Sequence, residues 1–343
     1  MTVPHVIGWP AFKTADANPY QALLYEAVQQ AGTPVVECTL RALLTAPRGT
    51  VLHLHWPDAF IANAPLPRAV IKLFALRLLA FWSVLRGIAW VWTAHNLQRP
   101  TQRHAWLLDQ AFWPWFAKTL SGILYLTEAS RHAAEHRFPH LATIPSAITP
   151  HGIYPVAMPT SPPTNRTELL FFGGVSPYKR VGDLIRAFVA LDAADVHLRI
   201  AGASSAAHRD HDATAALAEL PAHLRTNVTR EDHFLSPEDL AARVHAAKLV
   251  VLPFVAVQNS GSVLYALSCG RPILVPDLPV FRDLRAQAGA DWVHLFDGTL
   301  TAADLSTTLS ALRTNADEKP DLSAFAWPEI GAQTAAFFTR VTR

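Results

Sequence analysis

Cysteine is scarce in this sequence. Its two copies, Cys38 and Cys269, stand far apart and in different halves of the chain, which argues against a disulfide framework and fits a reducing compartment. An excess of one charge is also missing. The 29 Lys and Arg offset the 27 Asp and Glu to a formal net charge of +2, so the clustered basic surface that nucleic-acid binding requires is not expected. Long apolar runs are lacking as well: the stretch from Arg68 to Trp92 is broken by Lys72, Arg77 and Arg86, well short of the roughly 20 apolar residues of a membrane span. Residues Met1 to Ala11 carry Pro4, Gly8 and Pro10 and lack the basic start and apolar run of a signal peptide, so a cytoplasmic location is expected. Internal repeats and low-complexity tracts are absent too.

What remains is a chain of 343 residues, half of them hydrophobic, which is long enough for two cores. Apolar strands at Val3–Ile7, Val35–Val36, Val51–His55, Ile88–Thr93 and Ile123–Thr127 alternate with helices, and strands near Leu169, Leu198, Val228, Leu249, Ile273 and Val293 follow. That alternation predicts an α/β protein made of two Rossmann-like, doubly wound parallel-sheet domains facing a cleft. The expected boundaries are a first domain over 1–148, a proline-rich linker over 149–167, a second domain over 168–327, and a final helix over 328–343 that packs back on the first.

Two segments of the second half suit a diphosphate. In the first, an apolar strand ends at Gly173-Gly174, and Lys179 precedes a helix whose Val181, Leu184, Ile185 and Phe188 recur at helical spacing. In the other, a buried strand leads through Asn259-Ser260-Gly261-Ser262 into a helix of small and apolar residues, ending at the Gly270-Arg271-Pro272 corner. Free backbone N–H groups and the dipole at that helix start favour an anion, and small side chains let phosphate approach. The ordinary alternatives are a helix cap and a solvated lysine. Together the two segments supply fixed positive charge for a leaving nucleoside diphosphate, with no metal expected.

In the first half, polar residues collect after strand ends, where α/β sheets meet their ligands. They are His53, His55 and Asp58, then His95 and Asn96, then Glu128. One must act as general base toward an acceptor hydroxyl. Asp58, beside Trp56 and Pro57, is the first choice, followed by His95 and Glu128; a turn cap and a core histidine are the plain alternatives for the first two. Acceptor contacts are assigned to Trp9, Asn18, His55, Trp56 and Asn96. A zinc site from His53, His55 and His95 is rejected for lack of further ligands at suitable spacing. Arg68 to Trp92 also reads as a basic amphipathic helix that rests on a membrane or packs half-buried, and the cluster of Trp106, Phe112, Trp113, Trp115 and Phe116 as core or a lipid-facing group.

The strand-loop-Lys179-helix unit, the segment His233-Phe234-Leu235-Ser236-Pro237-Glu238-Asp239-Leu240 and the Gly270-Arg271-Pro272-Ile273 corner resemble the donor domain of GT-B glycosyltransferases. A narrower set, His53-Leu54-His55-Trp56-Pro57-Asp58, Thr93-Ala94-His95-Asn96-Leu97, Pro177-Tyr178-Lys179, Asn259-Ser260-Gly261 and Trp327-Pro328-Glu329-Ile330-Gly331, is similar in order to the xanthan-type exopolysaccharide β-mannosyltransferases, glycosyltransferase family 94. The resemblance implies GDP-mannose as donor, a lipid-linked or oligosaccharide acceptor, possible peripheral contact with the inner membrane, no cofactor, and donor contacts from Gly173, Gly174, Lys179, Gly202, Phe234, Leu235, Asn259, Ser260, Gly261 and Ser262. Val257, Tyr265 and Gly174 stand where many retaining relatives carry two glutamates and an arginine, which favours inversion. A nucleotide-sugar epimerase of related fold and a non-catalytic nucleotide- or carbohydrate-binding protein are the alternatives.

Overall fold

A computed structural model describes residues 3–15, 18–95, 104–156, 166–204, 209–255, 261–312 and 319–342. The chain divides into two compact units, Met1–Gly152 with Phe325–Arg343, and Ile153–Ala324.

The first unit is built on six parallel strands: β1 (Val6–Trp9), β2 (Val35–Glu37), β3 (Val51–Leu54), β4 (Ala89–Ala94), β5 (Gly122–Tyr125) and β6 (Ser146–Ile148), in the order β2-β1-β3-β4-β5-β6. Strands β3, β4 and β5 are buried throughout, as expected for runs covered on both faces by helices. β1 begins three residues later than the hydrophobic pattern suggests, because Pro4 has no N–H to give to a ladder and Val3 is exposed. The order reverses at β1 and β3, so the crevice of this sheet opens at Trp9 and His55, where the His55 amide donates to the Trp9 carbonyl over 3.2 Å.

The second unit holds β7 (Thr167–Phe172), β8 (Val196–Ala201), β9 (Val228–Glu231), β10 (Leu249–Val251), β11 (Ile273–Pro276) and β12 (Val293–Phe296), all parallel, in the order β12-β11-β10-β7-β8-β9. Here the reversal falls between β7 and β10.

The chain passes between the two units after Gly152, within the expected linker, and again before Phe325, just ahead of the final helix. The Thr149 amide still donates to Tyr125 in the first sheet over 2.8 Å. From Tyr154 onward the chain is tied to the second unit, the Tyr154 amide donating to Ser268 Oγ over 3.0 Å and its ring lying 5.4 Å from Tyr265. Residues 157–165 of the expected linker lie outside the described residues. The helix Trp327–Val341 packs against the helix Tyr20–Gln30 of the first unit, burying Ile330, Phe337 and Phe338 in the core that also holds Val6, Val51 and Val91.

The aromatic cluster of 106–116 divides. Phe112, Trp113 and Phe116 are core, whereas Trp106 is exposed, because the π-helical turn Leu108–Phe112 rotates the helix face partway along. The helix Leu66–Arg86 stops at Gly87, as its pattern predicts. One face packs through Ala69, Leu73, Leu76 and Ala80, while Ile71, Phe74, Leu78, Phe81 and Leu85 are each more than half exposed.

Candidate functional site

In the second unit the reversal point gathers three of the expected donor groups. Gly173 follows β7 with φ of 104°, and a Cβ there would lie 3.0 Å from Lys179 Nζ and 3.7 Å from Ser262 Oγ. The absence of that carbon therefore brings the glycine backbone, the lysine ammonium and the start of the helix Gly261–Ser268 to one point. Lys179 is half-buried at 5.5 Å from the Phe254 ring, 5.8 Å from Phe171 and 5.9 Å from Tyr178, and it joins no ion pair among the described residues. Burial lowers its ammonium to about 8. A cation held without a counterion beside a helix N-terminus is suited to receiving an anion.

Gly174 is exposed next to this point, and Gly202 closes β8 with its amide donating to Glu231 over 2.9 Å. Phe234 is exposed and Leu235 buried just after β9. Asn259 and Ser260 lie outside the described residues, as does Asn96. An open pocket in the same unit is lined by Arg180, Asp183, Phe254, Asp277 and Asp297; the carboxylates at 277 and 297 follow β11 and β12, and no motif in the sequence marked them.

The chain also contains one Asp-x-Asp triplet, Asp210-His211-Asp212, which the expectation of a metal-free site overlooked. Asp210 caps the following helix, its Oδ1 accepting from the Ala213 amide at 3.0 Å while Oδ2 is buried without a hydrogen-bond partner among the described residues, and Asp212 pairs with Arg186 at 2.8 Å, so each carboxylate has a role in local structure.

In the first unit the candidates converge on a chain of buried side chains. Thr93 Oγ1 meets His53 Nε2 at 2.7 Å, His53 Nδ1 meets Tyr25 Oη at 2.9 Å, Tyr25 Oη meets His55 Nε2 at 2.8 Å, and His55 Nδ1 meets His95 Nε2 at 2.9 Å. Gly8 allows this, since a Cβ there would meet the Tyr25 hydroxyl at 2.8 Å. Burial lowers His53 to about 3 and holds His55 well below the usual imidazole range, each helped by a neighbouring histidine. Both are therefore neutral at physiological pH. Trp56 stacks on His95 at 4.6 Å, Tyr20 meets the same ring edge-on at 5.1 Å, and Phe338 closes over His53 at 5.0 Å.

Of the remaining candidates, Asp58 is buried in the first turn of the helix Pro57–Ala62, where the dipole favours its charge. Glu128 is half-exposed and paired with Arg131 at 3.0 Å, apart from the histidine chain. Trp9 packs edge-on against Phe60 at 5.1 Å. Asn18 Oδ1 accepts from the Tyr20 amide at 3.2 Å, so it holds the entry of that helix. Sequence reasoning missed Tyr25, Thr93 and Gly8 as parts of this arrangement.

The two units, each built on a six-stranded parallel sheet, have the GT-B glycosyltransferase fold. The family described as "Glycosyl transferases group 1" matches residues 166–309. A sucrose-phosphate synthase from Thermosynechococcus elongatus superposes with a TM-score of 0.60 at 16% identity, covering 99% of this chain and 96% of that one. A glycosyltransferase of lipopolysaccharide biosynthesis, WaaG, gives 0.58 at 14% identity, covering 96% and 95%. Within that class, the chain is 30% identical over 320 residues, 92% of its length and 86% of the relative's, to the GDP-mannose:glycolipid 4-beta-D-mannosyltransferase of Xanthomonas campestris pv. campestris. The chain belongs to the family of that enzyme, and it is a glycosyltransferase.

Proposed function

We propose that this enzyme transfers a mannosyl residue from GDP-mannose, with inversion and without a metal ion, to a glycolipid or polyprenyl-diphosphate-linked oligosaccharide in exopolysaccharide or glycolipid synthesis. The observation that carries the reading is the identity to a GDP-mannose-dependent glycolipid β-mannosyltransferase along nearly the whole chain. Lys179 and the Gly261 helix start receive the diphosphate, replacing the cation that other glycosyltransferases bind, and neutralise the leaving group as its charge develops.

We take His95 as the base. It is the end of the histidine chain with the most exposed surface, 7% against at most 1% for Thr93, His53, Tyr25 and His55, and its partner His55 is held neutral and oriented. Asp58 then serves the helix start and the acceptor.

The exposed stripe of the helix Leu66–Arg86 supports peripheral contact at the cytoplasmic face of the membrane. Ile71, Phe74, Leu78, Phe81 and Leu85 follow one another at helical spacing over four turns, the helix has no acidic residue, and of its basic residues Lys72, Arg77 and Arg86 donate to the Phe60, Ala111 and Ala46 carbonyls at its flanks. An apolar face with basic residues and no acids suits an anionic lipid surface that presents a lipid-linked acceptor.

The test is product analysis with a panel of nucleotide sugars and a polyprenyl-diphosphate oligosaccharide. A β-mannosylated product from GDP-mannose is the expected result. An α-linked product would refute inversion, and exclusive use of a UDP-sugar would refute the donor.

A further inference from the structure

Beside the histidine chain, the first unit holds a further polar arrangement at its crevice. β1 ends at Trp9, and the following residues turn so that the amides of Ala11, Phe12 and Lys13 all donate to one atom, Oε2 of Glu37, over 3.2, 2.8 and 3.2 Å. Successive backbone N–H groups aimed at one point form a nest for an anion, and here the chain fills it with its own carboxylate. Glu37 reaches the nest because of where β2 ends. It is paired in register with Gly8 of β1, which pairs on its other side with His53 of β3, and the Cys38 amide donates to the Gly8 carbonyl over 2.9 Å. These groups stand at or next to the carboxyl ends of parallel strands, the side on which α/β sheets meet their ligands.

The loop fastened in this way lies against the site. Trp9, at its start, accepts from the His55 amide over 3.2 Å. Ala11 is fully buried, and the Phe12 ring lies 6.1 Å from that of Tyr25, whose hydroxyl is bonded to both His53 and His55. Hydrogen bonds to an ionised acceptor are roughly twice as strong as neutral ones, so three on one carboxylate oxygen set the path of the chain where strand gives way to loop. We propose that Glu37 is a positioning residue for the transfer: its carboxylate holds residues 10–13, and with them the Trp9 face and the Phe12 contact to Tyr25, as a wall of the acceptor crevice. This rests on the reading of the crevice at Trp9 and His55 as the acceptor side. Glu37 need not touch a substrate, since it acts through the loop.

The experiment measures acceptor KM and kcat with a polyprenyl-diphosphate oligosaccharide, and the GDP-mannose Kd by calorimetry. It compares wild type, Glu37→Ala, Glu37→Gln and Trp9→Ala in the full-length enzyme, with folding checked by circular dichroism. Glu37→Ala is expected to raise the acceptor KM by about tenfold or more, the size of one lost hydrogen bond to a charged group, and to leave the GDP-mannose Kd unchanged. Glu37→Gln keeps an oxygen within reach of the amides and should stay close to wild type. Added formate should refill the nest of Glu37→Ala and restore the acceptor KM, whereas chloride at equal ionic strength should not. If Glu37→Ala does not fold, Glu37→Asp, whose carboxylate is one methylene short of the nest, takes its place with the same expected rise. A folded Glu37→Ala with the wild-type acceptor KM, while Trp9→Ala is impaired, overturns the proposal, and so does a loss that neither formate nor Glu37→Gln relieves. A wild-type acceptor KM in both Glu37→Ala and Trp9→Ala overturns the reading of the crevice itself.

Discussion

On the proposal that Lys179 receives the donor diphosphate, its lowered ammonium makes donor binding pH-dependent in a calculable way. With a value of about 8 in the free protein, about nine-tenths of the lysine is charged at pH 7 and about one-tenth at pH 9. A bound diphosphate favours the charged form, so its value in the complex is raised and binding takes up a proton. Affinity is then fully present below pH 8 and is lost as pH rises from 8 toward the value in the complex. If only the ammonium form binds, Kd for GDP-mannose should weaken about tenfold between pH 7 and pH 9. Calorimetric titration at several pH values measures this directly. Lys179→Arg keeps a charge that does not titrate in this range and supplies the baseline for protons lost by the nucleotide. Equal slopes for wild type and Lys179→Arg would refute the argument.

The same shift acts on stability with the opposite sense. A lysine depressed from 10.5 to about 8 costs the free protein up to about 3 kcal/mol below pH 8, and the cost fades as pH rises from there through the ordinary lysine range. Lys179→Met should therefore melt several degrees higher at pH 7 without ligand while losing donor binding. A variant both less stable and still binding would mean that the lysine is held by groups other than the diphosphate.

Activity should survive chelation with EDTA, because Asp210 and Asp212 are engaged elsewhere; loss that magnesium or manganese restores would refute metal independence. Asp58→Asn should reduce kcat by less than tenfold and His95→Ala by at least about 10², measured with saturating donor, and the reverse ranking would move the base to Asp58. Phe74→Asp with Phe81→Asp should abolish sedimentation with vesicles containing anionic phospholipid and leave nucleotide binding unchanged; persistent co-sedimentation would refute the lipid-facing stripe.

The strands were legible because a strand buried on both faces reads as a run of apolar residues, as in Leu249–Val251 of β10, Ile273-Leu274-Val275 of β11 and the Leu169-Leu170-Phe171-Phe172 end of β7. The meeting of Gly173, Lys179 and the Gly261 helix start was legible for a related reason: they belong to local turns whose residue types declare their backbone needs. The π-turn that exposes Trp106 was not, since the inserted residue changes the face of the helix without changing its composition.

The histidine line shows where sequence stops informing. His53 and His55 are two apart and visibly share a face of β3, but their partners stand 28 to 40 residues away. On the helix Tyr20–Gln30, Tyr20, Leu24, Ala27 and Val28 mark the core stripe, and Tyr25 falls well to its side at about 100° per residue. It is nevertheless fully buried, because β1 presents Gly8 beneath it, paired in register with His53. A missing side chain on one strand thus admits a phenol from a helix to the histidines of the next strand. That relation is set by the stacking of three elements, and a tyrosine off the apolar stripe is the sole trace it leaves in the chain.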